Sequence, residues 1–167
     1  MMIGILADTH DNQPAIRQAI DIFAQLDTEL VLHAGDISTT RSLRLFKALH
    51  CEMIGVFGNC DRQQKRLRYA ARESGTIRIE SLVADLSVDG LRIGMVHGDD
   101  PTSLITLNEA DIYEIIISGH THRPSIRKAE ETLLINPGEA CGERYGEPTV
   151  AIFDTDILEA DILPLRF

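Results

Sequence analysis

Basic residues are scarce in this chain. Its 167 residues carry 16 lysines and arginines against 26 aspartates and glutamates, a formal charge of −10. That deficit argues against a general binder of nucleic acid or of anionic membranes, whose affinity rests on basic surface. It does not exclude a small anion held through cations. Cysteine is sparse as well: Cys51, Cys60 and Cys141 are odd in number, far apart and form no C-x-x-C. They exclude a disulfide framework or a zinc knuckle and read as free thiols in a reducing cytoplasm. No apolar run approaches the ~20 residues of a membrane span. No basic leader precedes the first apolar run, which meets Asp8 too soon for a signal peptide. Internal repeats and low-complexity linkers are lacking too. What remains is 44% hydrophobic and 25% charged, the balance expected of one globular domain over residues 1–167 with a sizeable core.

The chain's most informative stretch is Leu30-Val31-Leu32-His33-Ala34-Gly35-Asp36. A short apolar run reads as a buried strand, Gly35 permits a sharp turn, and Asp36 is delivered at the strand's C-terminal end, where open α/β sheets build their sites. Four other runs behave alike. Residues 1–7 lead into Asp8-Thr9-His10, residues 53–57 into Gly58-Asn59, residues 93–96 into His97, and residues 115–119 into His120-Thr121-His122. If these strands are parallel neighbours, their polar ends converge at one sheet edge.

Between them the pattern alternates. Asn12 caps a helix over residues 13–26, with Pro14 in its first turn and Ile16, Ile20, Phe23 and Leu26 on one face. A second helix follows the caps offered by Ser38, Thr39 and Thr40 and ends near His50, and a third covers residues 61–73. Strand, helix, strand, helix, strand marks a parallel α/β sheet. After residue 76 short strands dominate, at 77–79, 83–88, 91–96, 113–117, 125–129, 132–135, 149–154 and 158–163, with one helix near 102–110. This half suggests a second sheet packed on the first. The third helix carries Arg62, Lys65, Arg66, Arg68 and Arg72 against Asp61 and Glu73. Two readings stay open for it: a solvated face, or a cationic wall beside the site.

The strand-end residues Asp8, His10, Asp36, Asn59, His97, His120 and His122 form a set of carboxylate, amide and imidazole donors without thiolate. Such donors suit Mn, Fe, Co, Ni or Zn. Asp36 is placed at the centre, because one carboxylate can bridge two ions. Two metals about 3.5–4 Å apart would lower the pKa of a bridging water and clamp an in-line displacement at phosphorus. Most pieces singly have a plain structural explanation, Gly119-His120-Thr121-His122 less so, since two histidines one apart after an apolar run seldom serve packing; the ordered set, each member after a strand, points to a metal site. His33 and His50 take the plain reading, a hydrogen-bonded core histidine and a helix C-terminal one.

This series, D-x-H, G-D, G-N, H and G-H-x-H in order, resembles the calcineurin-like metallophosphoesterase superfamily over nearly the whole chain. Gly58-Asn59-Cys60-Asp61 and Asn136-Pro137-Gly138-Glu139 are similar to the small YfcE-type phosphodiesterases. The resemblance implies an α/β four-layer α-β-β-α sandwich, two mixed β-sheets flanked by helices, and two divalent ions. One ion would take Asp8, His10, Asp36 and His122, the other Asp36, Asn59, His97 and His120. Attack by a metal-bridging hydroxide on a small phosphodiester is then the expected reaction. Two positions depart from the family pattern. Cys60 stands where a histidine usually protonates the leaving group, and Asp99 stands where many small relatives carry a further histidine. Cys60, Asp99 and Arg62 are the candidate substrate-binding residues. The expected partner is a small phosphodiester, with no membrane and no nucleic acid, and a homo-oligomer is allowed. The competing functions are a metal-binding scaffold for protein–protein interaction on the same fold and a nuclease, the latter disfavoured by the acidic charge.

Overall fold

A computed structural model describes all 167 residues. Strand β1 (Met2–Leu6) runs into helix α1 (Gln13–Gln25). The Asn12 side chain accepts a hydrogen bond from the Ala15 N–H at the start of α1, with Pro14 in the first turn. Strand β2 (Leu30–His33) leads to a short helix α2 (Thr40–Leu45), capped by Thr39 and extended by a 3₁₀ turn over Phe46–Ala48. Strand β3 (Glu52–Gly55) precedes helix α3 (Gln64–Ser74) and strand β4 (Ile77–Ile79). Strands β5 (Val83–Val88) and β6 (Leu91–Val96) form a hairpin whose turn residues Asp89 and Gly90 have φ of 51° and 81°, both left-handed as a tight hairpin turn requires. Helix α4 (Pro101–Glu109), strands β7 (Ile115–Ile117), β8 (Ser125–Ala129) and β9 (Thr132–Asn136), and the closing pair β10 (Thr149–Asp154) and β11 (Glu159–Pro164) complete the chain.

The strands form two mixed sheets, ordered β11-β10-β1-β2-β3-β4 and β5-β6-β7-β9-β8. Strands β1 to β4 are parallel and β10 joins β1 antiparallel. In the second sheet β6, β7 and β9 are parallel, with β5 and β8 as antiparallel edges. The strand-end residues therefore come from two facing sheets rather than one edge of a single sheet. The assignment of strands also differs from a simple split at residue 76. β4 and the closing pair belong to the first sheet, because β10 pairs with β1 and β4 with β3, partnerships that local sequence cannot encode.

Alternation along the strands builds the layers. Ile3, Ile5, Leu30, Leu32 and Ile54 point inward and meet Leu86, Ile93, Met95, Ile115 and Ile117 of the second sheet. Leu6, Val31 and Met53 face the other way, against Ile16, Phe23, Phe46 and Leu67 of the helical layer. Leu107 of α4 packs on Val96 and Ile116 on the far side. The result is four layers, α-β-β-α. Phe23 shows how tightly α1 is seated: a Cβ built on Gly4 would lie 2.7 Å from its ring. Gly4→Ala should therefore cost about 1–3 kcal/mol by overpacking.

Helix α3 begins at Gln64 and not at residue 61. Asp61 is buried in the preceding loop, and its carboxylate accepts from the backbone N–H groups of Asp36, Ser38 and Gly58 (3.0, 2.7 and 2.8 Å). An acid that reads as a first-turn helix residue is instead the tie between two site loops.

Candidate metal centre

The C-terminal ends of β1, β2, β6 and β7 meet at one end of the sandwich. Backbone hydrogen bonds knit their loops together: Asp8 N–H to the Gly35 carbonyl (3.0 Å), His10 N–H to that of Asp36 (3.1 Å), and Gly119 N–H to that of His97 (2.9 Å). Five of the seven candidate ligands hold left-handed backbone, Asp8, His10, Asp36, His120 and His122, with φ between 39° and 64°. Non-glycine residues adopt this region at a cost and cluster there at functional sites. Gly58 makes the approach possible: a Cβ on it would lie 2.2 Å from Asp36 Oδ1.

The side chains gather around two carboxylates. His10 Nε2 lies 3.7 Å from Asp8 Oδ1 and 3.5 Å from Asp36 Oδ2. His122 Nε2 lies 3.4 Å from Asp8 Oδ1, and the rings of His10 and His122 stack at 5.3 Å. On the other side His97 Nε2 lies 3.4 Å from Asp36 Oδ2 and 3.1 Å from Asn59 Oδ1, with the His120 ring 5.1 Å from that of His97. The donors thus fall into two groups that meet at Asp36.

The surroundings fix which atoms face inward. His97 Nδ1 donates to the Ala34 carbonyl (2.8 Å) and His122 Nδ1 donates to Glu139 Oε2 (2.8 Å). Both acceptors lack a proton to give, so each ring, when neutral, keeps its proton on Nδ1 and turns the Nε2 lone pair toward the carboxylates. Asp8 Oδ2 accepts from the His120 N–H (3.0 Å) and Asp36 Oδ1 from the Cys60 N–H (2.8 Å). Asp8 Oδ1 and His10 Nε2 are buried without any hydrogen-bond partner. A buried polar atom left unpaired costs about 1–3 kcal/mol; here the orphans face one another across a space rimmed by anionic and imidazole donors. That arrangement fits a cation.

In the metal-free protein protons stand in for that cation. Burial alone would lower the His97 pKa, but the Asp36 carboxylate outweighs it and holds the imidazole up to about 9. Burial opposes the Asp36 charge in turn, yet His97 and the Cys60 N–H keep its carboxyl well below the usual range. Asp8 beside His10 raises that histidine against the effect of burial. Metal binding must displace these protons, so affinity depends on pH. His33, by contrast, is the buried core histidine expected from its strand position: its Nε2 is 3.2 Å from Thr9 Oγ1 and burial pushes its pKa down to about 3. His50 is exposed beyond the 3₁₀ turn.

An open cleft of about 400 Å³ lies over the centre, lined by His10, Asp36, Asn59, Cys60, His120, His122, Glu143 and Arg144. Of the three candidate substrate residues, only Cys60 lines it. Arg62 lies two residues on, around a separate surface depression, and Asp99 is exposed beside Asp100, the cap of α4. The Cys60 thiol is pushed up to about 11, first by burial and then by the facing Asp36 carboxylate. Three further contributors lie outside the strand-end series, although Asn136 and Glu139 belong to the Asn136-Pro137-Gly138-Glu139 sequence motif. Glu139 is fully buried, holds His122 and accepts from the Arg144 N–H (2.9 Å). Asn136 braces the His120–His122 loop through the Gly119 carbonyl (2.8 Å). Cys141 Sγ lies within 4.8 Å of donor atoms on His10 and His122. Asn136 ends β9 and the other two follow it, well removed in sequence from the loops they support.

Residues 1–157 match the family model described as the calcineurin-like phosphoesterase superfamily domain. The phosphodiesterase MJ0936 of Methanocaldococcus jannaschii is 34% identical over 156 residues, which cover 93% of this chain and 94% of the relative. The phosphodiesterase YfcE of Escherichia coli is 25% identical over 177 aligned positions, covering 95% and 90% of the two chains. The solved structure of an archaeal phosphodiesterase superposes with a TM-score of 0.94 at 33% identity, over 99% of this chain and 100% of that one.

Proposed function

We propose a reaction from one premise: this chain belongs to the calcineurin-like phosphoesterase superfamily and is a phosphoesterase of that family. The reaction is hydrolysis of a small phosphodiester, dependent on two divalent ions. One ion would be held by Asp8, His10, Asp36 and His122, the other by Asp36, Asn59, His97 and His120. The observation that carries this reading is the convergence of seven donors around Asp36, with Asp8 Oδ1 and His10 Nε2 buried and unpartnered. The bound ions, from the set Mn, Ni, Co, Fe and Zn, would supply Lewis acidity, turning a shared water into the nucleophile for in-line attack at phosphorus.

The chain's own groups have separate tasks. Glu139 and the Ala34 carbonyl keep the protons of His122 and His97 on Nδ1. The N–H groups of His120 and Cys60 orient the carboxylates of Asp8 and Asp36. Arg144 at the cleft wall offers positive charge to the phosphoryl oxygens. Cys60 stands where the family's acid stands, but a thiol is a poor hydrogen-bond donor. A general acid works best with a pKa near the operating pH; in the metal-free protein burial and Asp36 hold this thiol at about 11, and beside bound cations it would shift toward thiolate, which has no proton to give. The enzyme therefore favours diesters whose leaving group departs unprotonated.

The test is a metal-by-substrate screen on metal-stripped protein, with bis(p-nitrophenyl) phosphate and p-nitrophenyl phosphate side by side. No turnover is expected without metal, and with metal the diester should be preferred. Turnover that survives stripping, or no turnover with any metal, would overturn the reading.

A further inference from the structure

Charge is distributed unevenly over this acidic chain. Residues 38–75 hold eight of the 16 basic residues, Arg41, Arg44, Lys47, Arg62, Lys65, Arg66, Arg68 and Arg72, but only three of the 26 acidic ones. None of those three neutralises the cations. Asp61 is buried and occupied by three backbone N–H groups, Glu52 pairs with Arg78, and Glu73 lies near the far end of α3. No ion pair within 4.0 Å involves any of the eight; the pairs present use Arg78, Arg92, Lys128, histidines and the amino terminus. A solvated face in a chain rich in carboxylates would be expected to pair some of them.

The cations also have a place. Arg62, Gln63, Gln64, Lys65 and Arg66 line an open depression of about 590 Å³ with no apolar residue. All five are exposed. They surround the N-terminus of α3, whose cap residue Gln63 makes no side-chain capping hydrogen bond; its carbonyl already takes the Arg66 N–H (2.9 Å), which leaves the N–H groups of Gln64 and Lys65 at the open end of the helix. Cys60 lines the catalytic cleft, and two residues of chain span at most ~7 Å. The depression shares no lining residue with the cleft, but Arg62 on its edge is within that short reach of Cys60.

We propose that this depression docks a second anionic group of the substrate, so that the preferred diester carries a further phosphate on one arm. The inference rests on the phosphodiesterase reading of the neighbouring cleft. In a protein of net charge −10, an uncompensated basic surface also steers a multiply charged anion toward the site. The depression is formed by five consecutive residues, a local patch rather than a groove running along the surface.

The test is equilibrium binding without added metal, which keeps its result separate from any failure of hydrolysis. The probes are a fluorescently labelled thymidine dinucleotide with a 5′-phosphate and the same dinucleotide with a 5′-hydroxyl. The phosphorylated probe should bind about tenfold more tightly at low salt, and the advantage should fade as salt rises. The Lys65→Gln/Arg66→Gln variant should lose most of that advantage while binding the hydroxyl probe within twofold of the parent. Equal affinity for both probes in the parent would overturn the proposal, as would an advantage untouched by the variant. Affinity that keeps climbing with strand length beyond the dinucleotide would overturn it in favour of a polynucleotide surface.

Discussion

The two ends of the sandwich make an instructive pair. The larger cavity, about 740 Å³, is not over the candidate metal centre but at the N-terminal ends of β1, β2 and β3, beside β4 and β5. It too is rich in carboxylates: Glu29, Glu52, Glu80, Asp85 and Asp89. Each of these has a partner. Arg78 reaches Glu52 and Glu80, Arg92 binds Asp85 through two nitrogens, Glu29 accepts from the Met2 N–H, and Asp89 meets the amino terminus and Thr155. At the other end the cleft is smaller, but its carboxylates face imidazoles in strained backbone and two buried polar atoms have no partner. Cavity size does not mark the functional end; unsatisfied, strained donors do. The larger cavity is a surface whose charges are already spent on one another.

That contrast can be broken by paired substitutions. Asp36→Ala should lower kcat/KM by at least about 100-fold, the upper range for disturbing a metal's support, whereas Glu80→Gln should leave it within twofold. Comparable losses at both ends, in a diester assay, would erase the distinction. Glu139→Gln is the next largest effect. It removes the carboxylate that orients His122 and should reduce metal affinity by about 10–100-fold, read by metal titration. Affinity unchanged in this variant would mean that His122 needs no such brace.

The contrast was partly legible in the sequence. Apolar runs ending in Asp or His announce themselves, because burial and the polar stop lie within a few neighbouring residues. Asp8, His10, Asp36, Asn59, His97, His120 and His122 are all proposed as ligands on that local signal, and the fold brings them to one end of the sandwich. Asn12 as a cap and Asp89-Gly90 as a turn were equally local. What escaped depends on contacts across the chain. Asp61 looks like a helix-starting acid until its three backbone partners are seen. Glu139 lies 17 positions from the histidine it holds, and β4, β10 and β11 choose their sheet by pairing rather than by pattern. Arg144 enters the cleft because Glu139 binds its N–H, a relation that no periodicity shows.

Proton linkage sharpens the comparison further. In metal-free protein His97 has its pKa raised to about 9, so its contribution to stability is full below the unfolded value near 6.5 and is lost as pH rises through 9. His33 has its pKa lowered to about 3. Its contribution is present above 6.5 and is lost as pH falls toward 3, because the unfolded chain then takes up a proton that the fold refuses. Each limb should have a slope of up to about 1.4 kcal/mol per pH unit, measured by urea unfolding between pH 4 and 9. Bound metal should flatten the alkaline limb, since the cation replaces the proton, and His33→Gln should flatten only the acid limb. Identical profiles with and without metal would argue that His97 does not face the ion.

The smallest effect is expected at Cys60. Cys60→Ser should change turnover of bis(p-nitrophenyl) phosphate by less than about threefold, because a general acid worth 10²–10⁴-fold is absent already. The parent's rate should depend steeply on leaving-group pKa, nitrophenyl diesters far outrunning alkyl ones. A shallow dependence, or a large loss on Cys60→Ser, would place an acid at this position after all.

The central claim is that Asp36 joins two ions at the C-terminal end of the sandwich. Calorimetric titration of metal-stripped protein with Mn, beside Asp36→Ala, tests it directly. Two ions per chain are predicted for the parent, with both sites weakened together in the variant. A single ion in the parent, or loss of one site in Asp36→Ala while the second keeps its full affinity, would contradict the account.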